Sequence, residues 1–312
     1  MAEIVVIEKL TKKYSDFFAL NELSLKINAG VCIGYLGPNG AGKTTTIRLL
    51  TGLLRPTSGR VFVDGVETTQ NLRKVLTNVG VLVENPQFIP NLTPKENLSY
   101  FGKLRGIPKN LLTERVLQVL KQVNLIEWQN KQVGTFSKGM KQRLGLASTI
   151  LHDPALLILD EPTSGLDPRG MIEVRQIIKQ LKKLGKTIFM SSHLLSEVQE
   201  VCDEVALLDK GKLLRYDSVQ NIESKRSTAK IKIETLHELS SEQIDTIKKF
   251  KNVLKITKDT KTNIIVELAG TKETKSDFLT HLQNSGIRVV SFKPAQSDLE
   301  SLYMDITSES VK

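Results

Sequence analysis

Continuous apolar runs recur along the chain up to about residue 220, and each ends at a turn or a helix start. Such runs are typical of strands buried on both faces of a parallel sheet. Helical patterns lie between them, for example at 43–50 and 170–184. We therefore expect an α/β fold with a doubly wound parallel sheet. The predicted strands are VCIGYLG (31–37), NVGVLVE (78–84), ALLILD (155–160), TIFMSS (187–192) and EVALLD (204–209).

One long stretch interrupts this alternation, because the pattern from 93 to 151 is helical throughout. In the segment NLLTERVLQVLKQVNL, the apolar residues Leu112, Val116, Leu120 and Val123 recur near a period of 3.6. The pattern predicts a helical subdomain inserted into the α/β core.

The hydrophobic pattern changes after Asp217. The segment TAKIKIE (228–234) alternates polar and apolar residues, and Ser240 with Gln243 predicts a helix that opens with a capping box. Further strand and helix patterns follow in the order βαββαβ, which is the split-βαβ arrangement. A last helix is predicted at Asp298–Ile306.

These patterns divide the chain into two expected domains, 1–222 and 223–312. The second is expected to be a small α+β domain. No catalytic constellation stands out in it, and regulation, dimerisation and docking remain open as its role.

A glycine-rich segment, GPNGAGKTT, follows one predicted strand directly and precedes a helix. Glycines let such a loop turn its N–H groups inward onto phosphates, and the helix adds the positive end of its dipole. Lys43 is placed for the β- and γ-phosphates, and the Thr44 hydroxyl for Mg²⁺. The sequence therefore predicts a site for a nucleoside triphosphate and Mg²⁺. Its loop consists of Gly37, Pro38, Asn39, Gly40, Ala41, Gly42, Lys43, Thr44 and Thr45.

Two adjacent carboxylates, Asp160 and Glu161, end the buried run LLIL. Charges at such a place are costly unless they are neutralised. A phosphate loop needs a metal partner from a second strand, and Asp160 is placed to hold Mg²⁺. Glu161 points differently and is predicted to polarise the water that attacks the γ-phosphate.

Composition adds little to this picture. The net charge is +10, which fits nucleic acid, anionic lipid or an anionic ligand, but the basic residues are scattered and aromatics make up only 5%. Cys32 and Cys202 lack metal-ligand spacing and fit a reducing compartment. The N-terminal segment does not match a secretory signal, and no apolar run is long enough for a bilayer. A cytoplasmic protein is expected.

Further sequence motifs flank the segment that contains Asp160 and Glu161. The segment FSKGMKQRLGLAS (136–148) precedes LLILDEPTSGLDP, and MSSHLLSEV (190–198) follows it. In this order, they resemble the nucleotide-binding subunit of an ABC transporter over residues 3–220. A weaker likeness, in SDLESLYMDIT (297–307), points to the accessory domain of one branch of these subunits.

The resemblance implies roles for individual residues. Tyr14 would stack on the adenine ring, with Phe17 or Phe18 as alternatives. In a head-to-tail dimer, Ser137 and Gly139 would bind the γ-phosphate held by the other subunit. Further roles implied are communication between the two sites for Asp167 and orientation of the attacking water, with γ-phosphate contact, for His193.

Two positions depart from the family pattern. The signature is usually Leu-Ser-Gly-Gly-Gln, and here it is FSKGM, so that Lys138 adds a charge near the partner's nucleotide. Glu84 stands where the family has Gln, at a position that senses Mg²⁺. A carboxylate there is expected to bind the metal more strongly, unless it simply replaces the amide. Both departures are similar to the bacitracin-resistance and lantibiotic self-protection branch.

The resemblance implies an ATPase subunit, in a homodimer or heterodimer, on the cytoplasmic side of the membrane. It would power export of a peptide antibiotic or a similar amphipathic compound through separate membrane-spanning permease subunits. The alternative is a soluble ABC-type ATPase that acts on ribosomes or nucleic acid. One P-loop, no internal repeat and no sustained heptads argue against it, so no nucleic-acid partner is expected.

Overall fold

The computed structural model describes residues 2–83, 86–224, 228–270 and 272–294. Glu84 and the predicted helix Asp298–Ile306 lie outside these ranges. The strands are β1 (Glu3–Tyr14), β2 (Phe17–Asn28), β3 (Cys32–Leu36), β4 (Ser58–Val63), β5 (Val66–Glu67), β6 (Val79–Leu82), β7 (Leu156–Leu159), β8 (Thr187–Ser192), β9 (Glu204–Asp209), β10 (Lys212–Ser218), β11 (Thr228–Thr235), β12 (Val253–Lys258), β13 (Asn263–Ala269) and β14 (Val289–Pro294). The helices are α1 (Lys43–Leu50), α2 (Leu72–Thr77), α3 (Pro94–Leu104), α4 (Lys109–Gln122), α5 (Lys138–Ile150), α6 (Pro168–Lys183), α7 (Leu195–Val201), α8 (Val219–Ser224), α9 (Ser241–Lys248) and α10 (Lys272–Asn284).

The predicted parallel sheet is confirmed and forms the centre of the first unit, which ends at Ser218. Its strand order is β10-β9-β3-β8-β7-β6, with β10 antiparallel at one edge. The register pairs Leu36 with Ser192 and Leu159 with Met190. The residues that follow β3 and β7 therefore meet those at the end of β8 at one edge of the sheet.

The two faces of the parallel sheet are covered differently. Ile33 and Tyr35 point into a core shared with α1 and with a second, antiparallel sheet of order β2-β1-β4-β5. On the other face, β3 approaches α7 so closely that a Cβ on Gly34 would stand 2.5 Å from Val198. The antiparallel sheet was not predicted from the sequence and replaces helices on much of one face.

The inserted helical subdomain consists of α3, α4 and α5, with two short 3-10 turns between α4 and α5. All four residues of the predicted apolar seam of α4 are buried. Thr93 opens α3 with a capping box in which its hydroxyl accepts from the N–H of Glu96. The described residues between β6 and β7 include no strand.

The second unit begins at Val219, four residues before the boundary expected from the sequence. Its sheet has the order β12-β13-β11-β14 with antiparallel neighbours, as the βαββαβ pattern predicts. Helices α9 and α10 pack on this sheet through a core that includes Ile233, Val266 and Phe278. The predicted capping box at Ser240 and Gln243 is present at the start of α9.

The two cysteines are both buried free thiols in the first unit, Cys32 on β3 and Cys202 after α7. Their sulfur atoms lie 3.7 Å apart. The hydrogen bond with Cys32 and burial together raise the pKa of the Cys202 thiol. Neither belongs to a metal-binding cluster, since the described residues contain no group of three or more His, Cys, Asp or Glu side chains that could hold an ion.

Candidate nucleotide and catalytic site

The loop between β3 and α1 is held tightly against its neighbours. Gly42 has φ 106°, and a Cβ there would stand 2.5 Å from the carbonyl oxygen of Ala19 on β2. A Cβ on Gly37 would stand 2.4 Å from the carbonyl oxygen of Leu208 on β9. Glycine is required at Gly42 by both conformation and space. The loop therefore follows a fixed path at the carboxyl edge of the parallel sheet.

The start of α1 has the chemistry of an anion site. No side chain caps the helix at Gly42, and the first turn contains no acidic residue. The first N–H groups of a helix have no partner within it, and the helix dipole adds positive potential there. Lys43 adds an ammonium group that is almost fully buried and donates to the carbonyl oxygens of Gly37 (2.8 Å) and Pro38 (3.2 Å).

Asp160 follows β7 and is only 7% exposed. It accepts a hydrogen bond from Thr44 Oγ1 at 3.0 Å through Oδ2, and one from Ser191 Oγ at 2.5 Å through Oδ1. The Asp160 N–H donates to the carbonyl of Leu82 on β6, which anchors this residue in the sheet. Two hydroxyl donors thus satisfy the buried carboxylate directly beside the phosphate loop.

Glu161 has a φ of 44°, in the left-handed region that non-glycine residues seldom adopt. One of its oxygens lies 3.5 Å from Lys43 Nζ, and the other lies 3.0 Å from Nδ1 of His193. The adjacent acids therefore face different partners, as the sequence predicts. The structure therefore brings together five predicted site residues, Lys43, Thr44, Asp160, Glu161 and His193.

The aromatic residues near the N-terminus lie on the hairpin between β1 and β2. Tyr14 is 45% exposed, and Phe17 and Phe18 are also exposed. Lys12 lies 5.1 Å from the centre of the Tyr14 ring. The same hairpin contacts the phosphate loop, because Ala19 lies against Gly42. An exposed aromatic surface is thus available beside the loop.

Ser137, Gly139 and Asp167 occupy the starts of two neighbouring helices. Ser137 caps α5 by accepting from the N–H of Met140, and Asp167 caps α6 by accepting from the N–H of Gly170. A Cβ on Gly139 would stand 3.8 Å from Gly170, so the two helix starts are adjacent. Among the described residues, no hydrogen bond or ion pair joins this group to the Lys43–Glu161 cluster of the same chain.

Lys138 occupies the first turn of α5 and is exposed. Its ammonium lies against Gly165, where a Cβ would stand 2.3 Å from Nζ. This lysine therefore touches the loop that leads to Asp167.

Two buried groups that support the site were missed from the sequence. Ser191 contacts both acids, since it bonds Asp160 and accepts from the Glu161 N–H at 2.9 Å. Glu197 is 2% exposed and accepts from the hydroxyls of Thr163 and Ser192. It thereby joins the loop after Glu161 to the loop that carries His193. The only sequence signal was a pair of serines at the end of an apolar strand.

Comparison with known proteins places this geometry in a family. The ABC transporter family model matches residues 20–164. The chain is 46% identical over 215 residues to the bacitracin transport ATP-binding protein BcrA of Bacillus licheniformis, with 69% of each protein covered. It is 37% identical over 314 residues to YdbJ of Bacillus subtilis, an uncharacterized ABC transporter ATP-binding protein, with 99% of this chain and 97% of the relative covered. The chain belongs to the ATP-binding proteins of ABC transporters.

Solved structures agree with this assignment. An ATP-binding cassette in a dimeric post-hydrolysis state, bound to ADP and Pi, is 25% identical with a TM-score of 0.62. The match covers 69% of this chain and 98% of that one. This chain is thus an ATPase, and it is the ATP-binding subunit of a transporter. Within the described part of this subunit, no helix combines the length and the hydropathy that a membrane span requires.

Proposed function

We propose that this ABC ATPase hydrolyses ATP at the cluster of Lys43, Asp160, Glu161 and His193 and drives separate membrane-spanning subunits. One observation carries the proposal: Glu161 stands between Lys43 (3.5 Å) and His193 (3.0 Å), beside an Asp160 that is bonded to Thr44. A phosphate binder, a carboxylate base and an orienting imidazole thus lie within one site.

Each residue then has a distinct task. Lys43 and the N–H groups of Gly37–Thr45 hold the phosphates. Glu161 accepts a proton from the attacking water, and His193 orients that water and contacts the γ-phosphate. Tyr14 stacks on the adenine ring, as the exposed aromatic surface beside the loop permits. Base–aromatic stacking contributes about 1–3 kcal/mol in single-strand nucleic-acid sites.

The residues present fit Mg²⁺. The Thr44 hydroxyl and the Asp160 carboxylate are hard oxygen donors, 3.0 Å apart at the edge of the phosphate loop. Mg²⁺ is usually bound by one or two carboxylates together with substrate phosphates and water, so a larger acidic cluster is not needed. When bound, the ion would neutralise charge on the phosphates. Glu84 is proposed as a further metal contact on sequence grounds alone.

The second half of the site comes from another ABC subunit, either a copy of this chain or a homologue. Ser137 and Gly139 lie at an exposed helix start that would bind the γ-phosphate held by the partner, and Asp167 beside them would link the two sites. The dimeric state of the related cassette bound to ADP and Pi supports this arrangement.

The transport partner is a permease that docks on the helical subdomain from the membrane side. A groove beside α3 and β6 supports this placement, since it is lined by Phe88, Phe101 and Leu104, and Leu104 is 69% exposed. The relatives named for bacitracin transport in Bacillus licheniformis and Enterococcus faecalis favour a peptide antibiotic as cargo. The subunit would then sit peripherally on the cytoplasmic face of the membrane and act in export.

Purification from native membranes in mild detergent tests the coupling. The proposal predicts that a tagged chain retains a multi-span protein in stoichiometric amount. Recovery of all the protein in the soluble fraction with ribosomes or nucleic acid would contradict it.

A further inference from the structure

Ser191, at the end of β8, has a fully buried hydroxyl that bridges the two adjacent acids. It donates to Asp160 Oδ1 at 2.5 Å and accepts from the Glu161 N–H at 2.9 Å. A serine hydroxyl has one proton and two lone pairs, so one group can make both bonds together. Ser191 thus holds Glu161 through its backbone N–H and Asp160 through its side-chain carboxylate.

The hydrogen bond to Asp160 restricts rotation of its carboxylate about χ2, a torsion that otherwise covers a broad range of angles. A hydroxyl–carboxylate distance of 2.5 Å is that of a charge-assisted hydrogen bond. With Oδ1 held by Ser191, Oδ2 is directed at the Thr44 hydroxyl and the phosphate loop. The orientation of the carboxylate that we assign to Mg²⁺ therefore depends on Ser191.

The bond to Glu161 supports an unfavourable backbone conformation. A left-handed φ in a non-glycine residue is unfavourable and persists only where the surroundings hold it. Glu161 has such a φ, and its N–H is held by Ser191. This turn directs the Glu161 side chain to Lys43 and His193.

We propose that Ser191 is a positioning residue of the ATPase reaction, because its single hydroxyl fixes both carboxylates relative to the phosphate loop. The inference rests on the roles proposed above for Asp160 and Glu161. The neighbouring Ser192 cannot replace it, since its hydroxyl donates to Glu197 and accepts from the Leu194 N–H.

Ser191→Ala in the full chain tests the proposal. We expect kcat to fall about 10–100-fold, as is typical when a residue that orients a metal ligand is lost. At saturating Mg²⁺, KM for ATP should stay within about threefold, because the phosphate loop is unchanged. The Mg²⁺ concentration that gives half-maximal activity should rise. Ser191→Thr, which keeps the hydroxyl, should restore most of kcat.

Thr149→Val is the matched control, since it removes another buried hydroxyl, which donates to the carbonyl of Gly145 in α5. It should lower thermal stability to a similar degree but leave kcat and the Mg²⁺ dependence near parental values. Binding of a fluorescent ATP analogue, with Mg²⁺ and with EDTA, supplies a readout besides turnover. Only Ser191→Ala should reduce the gain in affinity that Mg²⁺ provides. If Ser191→Ala does not fold, Ser191→Cys, a weak donor of similar size, should show the same changes in smaller degree.

A Ser191→Ala protein with parental kcat and Mg²⁺ dependence would overturn the proposal, and so would an equal loss of kcat in Thr149→Val. Glu161→Gln separates this failure from failure of the proposed site. If Glu161→Gln loses turnover while Ser191→Ala does not, only the positioning role is wrong. If Glu161→Gln turns over at the parental rate, the roles of the site on which this inference rests are wrong.

Discussion

At the scale of single residues, two acids at the end of a buried strand are stabilised by different partners. Hydroxyl groups of Thr44 and Ser191 satisfy Asp160, while Glu161 contacts the Lys43 ammonium and Nδ1 of His193. Spacing along the sequence predicts the divergence of the two acids. It could not predict Ser191, because that contact depends on the register between β7 and β8, which no local pattern encodes.

The environment of His152, a residue outside the site, predicts that stability depends on pH. His152 follows α5, and burial, followed by the charge of Arg105, lowers its pKa to about 4. The unfolded chain therefore binds a proton that the folded chain does not between about pH 6.5 and pH 4. Stability should fall as the pH falls through this window. Because the imidazole is only partly buried, we expect a loss of about 1–2 kcal/mol after solvent screening.

Urea unfolding at pH 7 and pH 4.5 measures this loss. In His152→Gln, the difference in free energy of unfolding between the two pH values should be smaller than in the parent by that amount. An unchanged difference would exclude His152 as its source.

At the scale of elements, the strands of the parallel sheet could be predicted because each is a continuous apolar run. The antiparallel sheet could not, although β1 and β2 are the longest strands described. Left-handed residues at Lys9 and Glu22 coincide with irregular pairing and break the alternation that would mark a half-buried strand. The strand β4, which pairs with β1, also begins at Ser58, 44 residues after β1 ends at Tyr14, so no local pattern marks this pairing.

The contact between β2 and the phosphate loop predicts the effect of Gly42→Ala. A left-handed φ alone costs an alanine about 1–2 kcal/mol. Overlap with the Ala19 carbonyl at 2.5 Å should add about 1–3 kcal/mol, as overpacking does. The variant should unfold more easily in urea and bind ATP weakly.

Gly30→Ala is the control, because Gly30 has φ 80° but an added Cβ would meet no atom within 4 Å. It should show the conformational cost alone and retain ATP binding. Equal destabilisation by the two substitutions would contradict a steric role for the β2 contact.

At the scale of the whole molecule, each of the two compact units has a hydrophobic core of its own among the described residues. One joins the parallel and antiparallel sheets, and the other lies under the sheet of the second unit. The βαββαβ order of that unit followed from alternation and a capping box. Its role could not be predicted, because a fold without a recognisable site assigns no activity. The transported compound is beyond the sequence for a related reason, since the proposed function assigns its path to separate membrane-spanning subunits.

Two compact units, each with its own core, predict two calorimetric transitions. An analogue of Mg-ATP should raise only the midpoint temperature of the first unit's transition, because binding stabilises the unit that contains the site. Phe278→Ala opens a cavity in the core of the second unit, which should cost about 3–5 kcal/mol of stability. It should therefore lower the midpoint temperature of the other transition. A single transition that both perturbations shift would contradict independent unfolding of the units.

The steady-state ATPase rate of Glu161→Gln, measured beside that of the parent, tests whether Glu161 activates the attacking water. Loss of a general base should lower turnover about 10²–10⁴-fold. ATP binding should survive, since Lys43 and the loop are intact, and an ATP-bound dimer should accumulate on size exclusion. Hydrolysis by Glu161→Gln at the parental rate would contradict the account, because the carboxylate between Lys43 and His193 would then have no part in activating water.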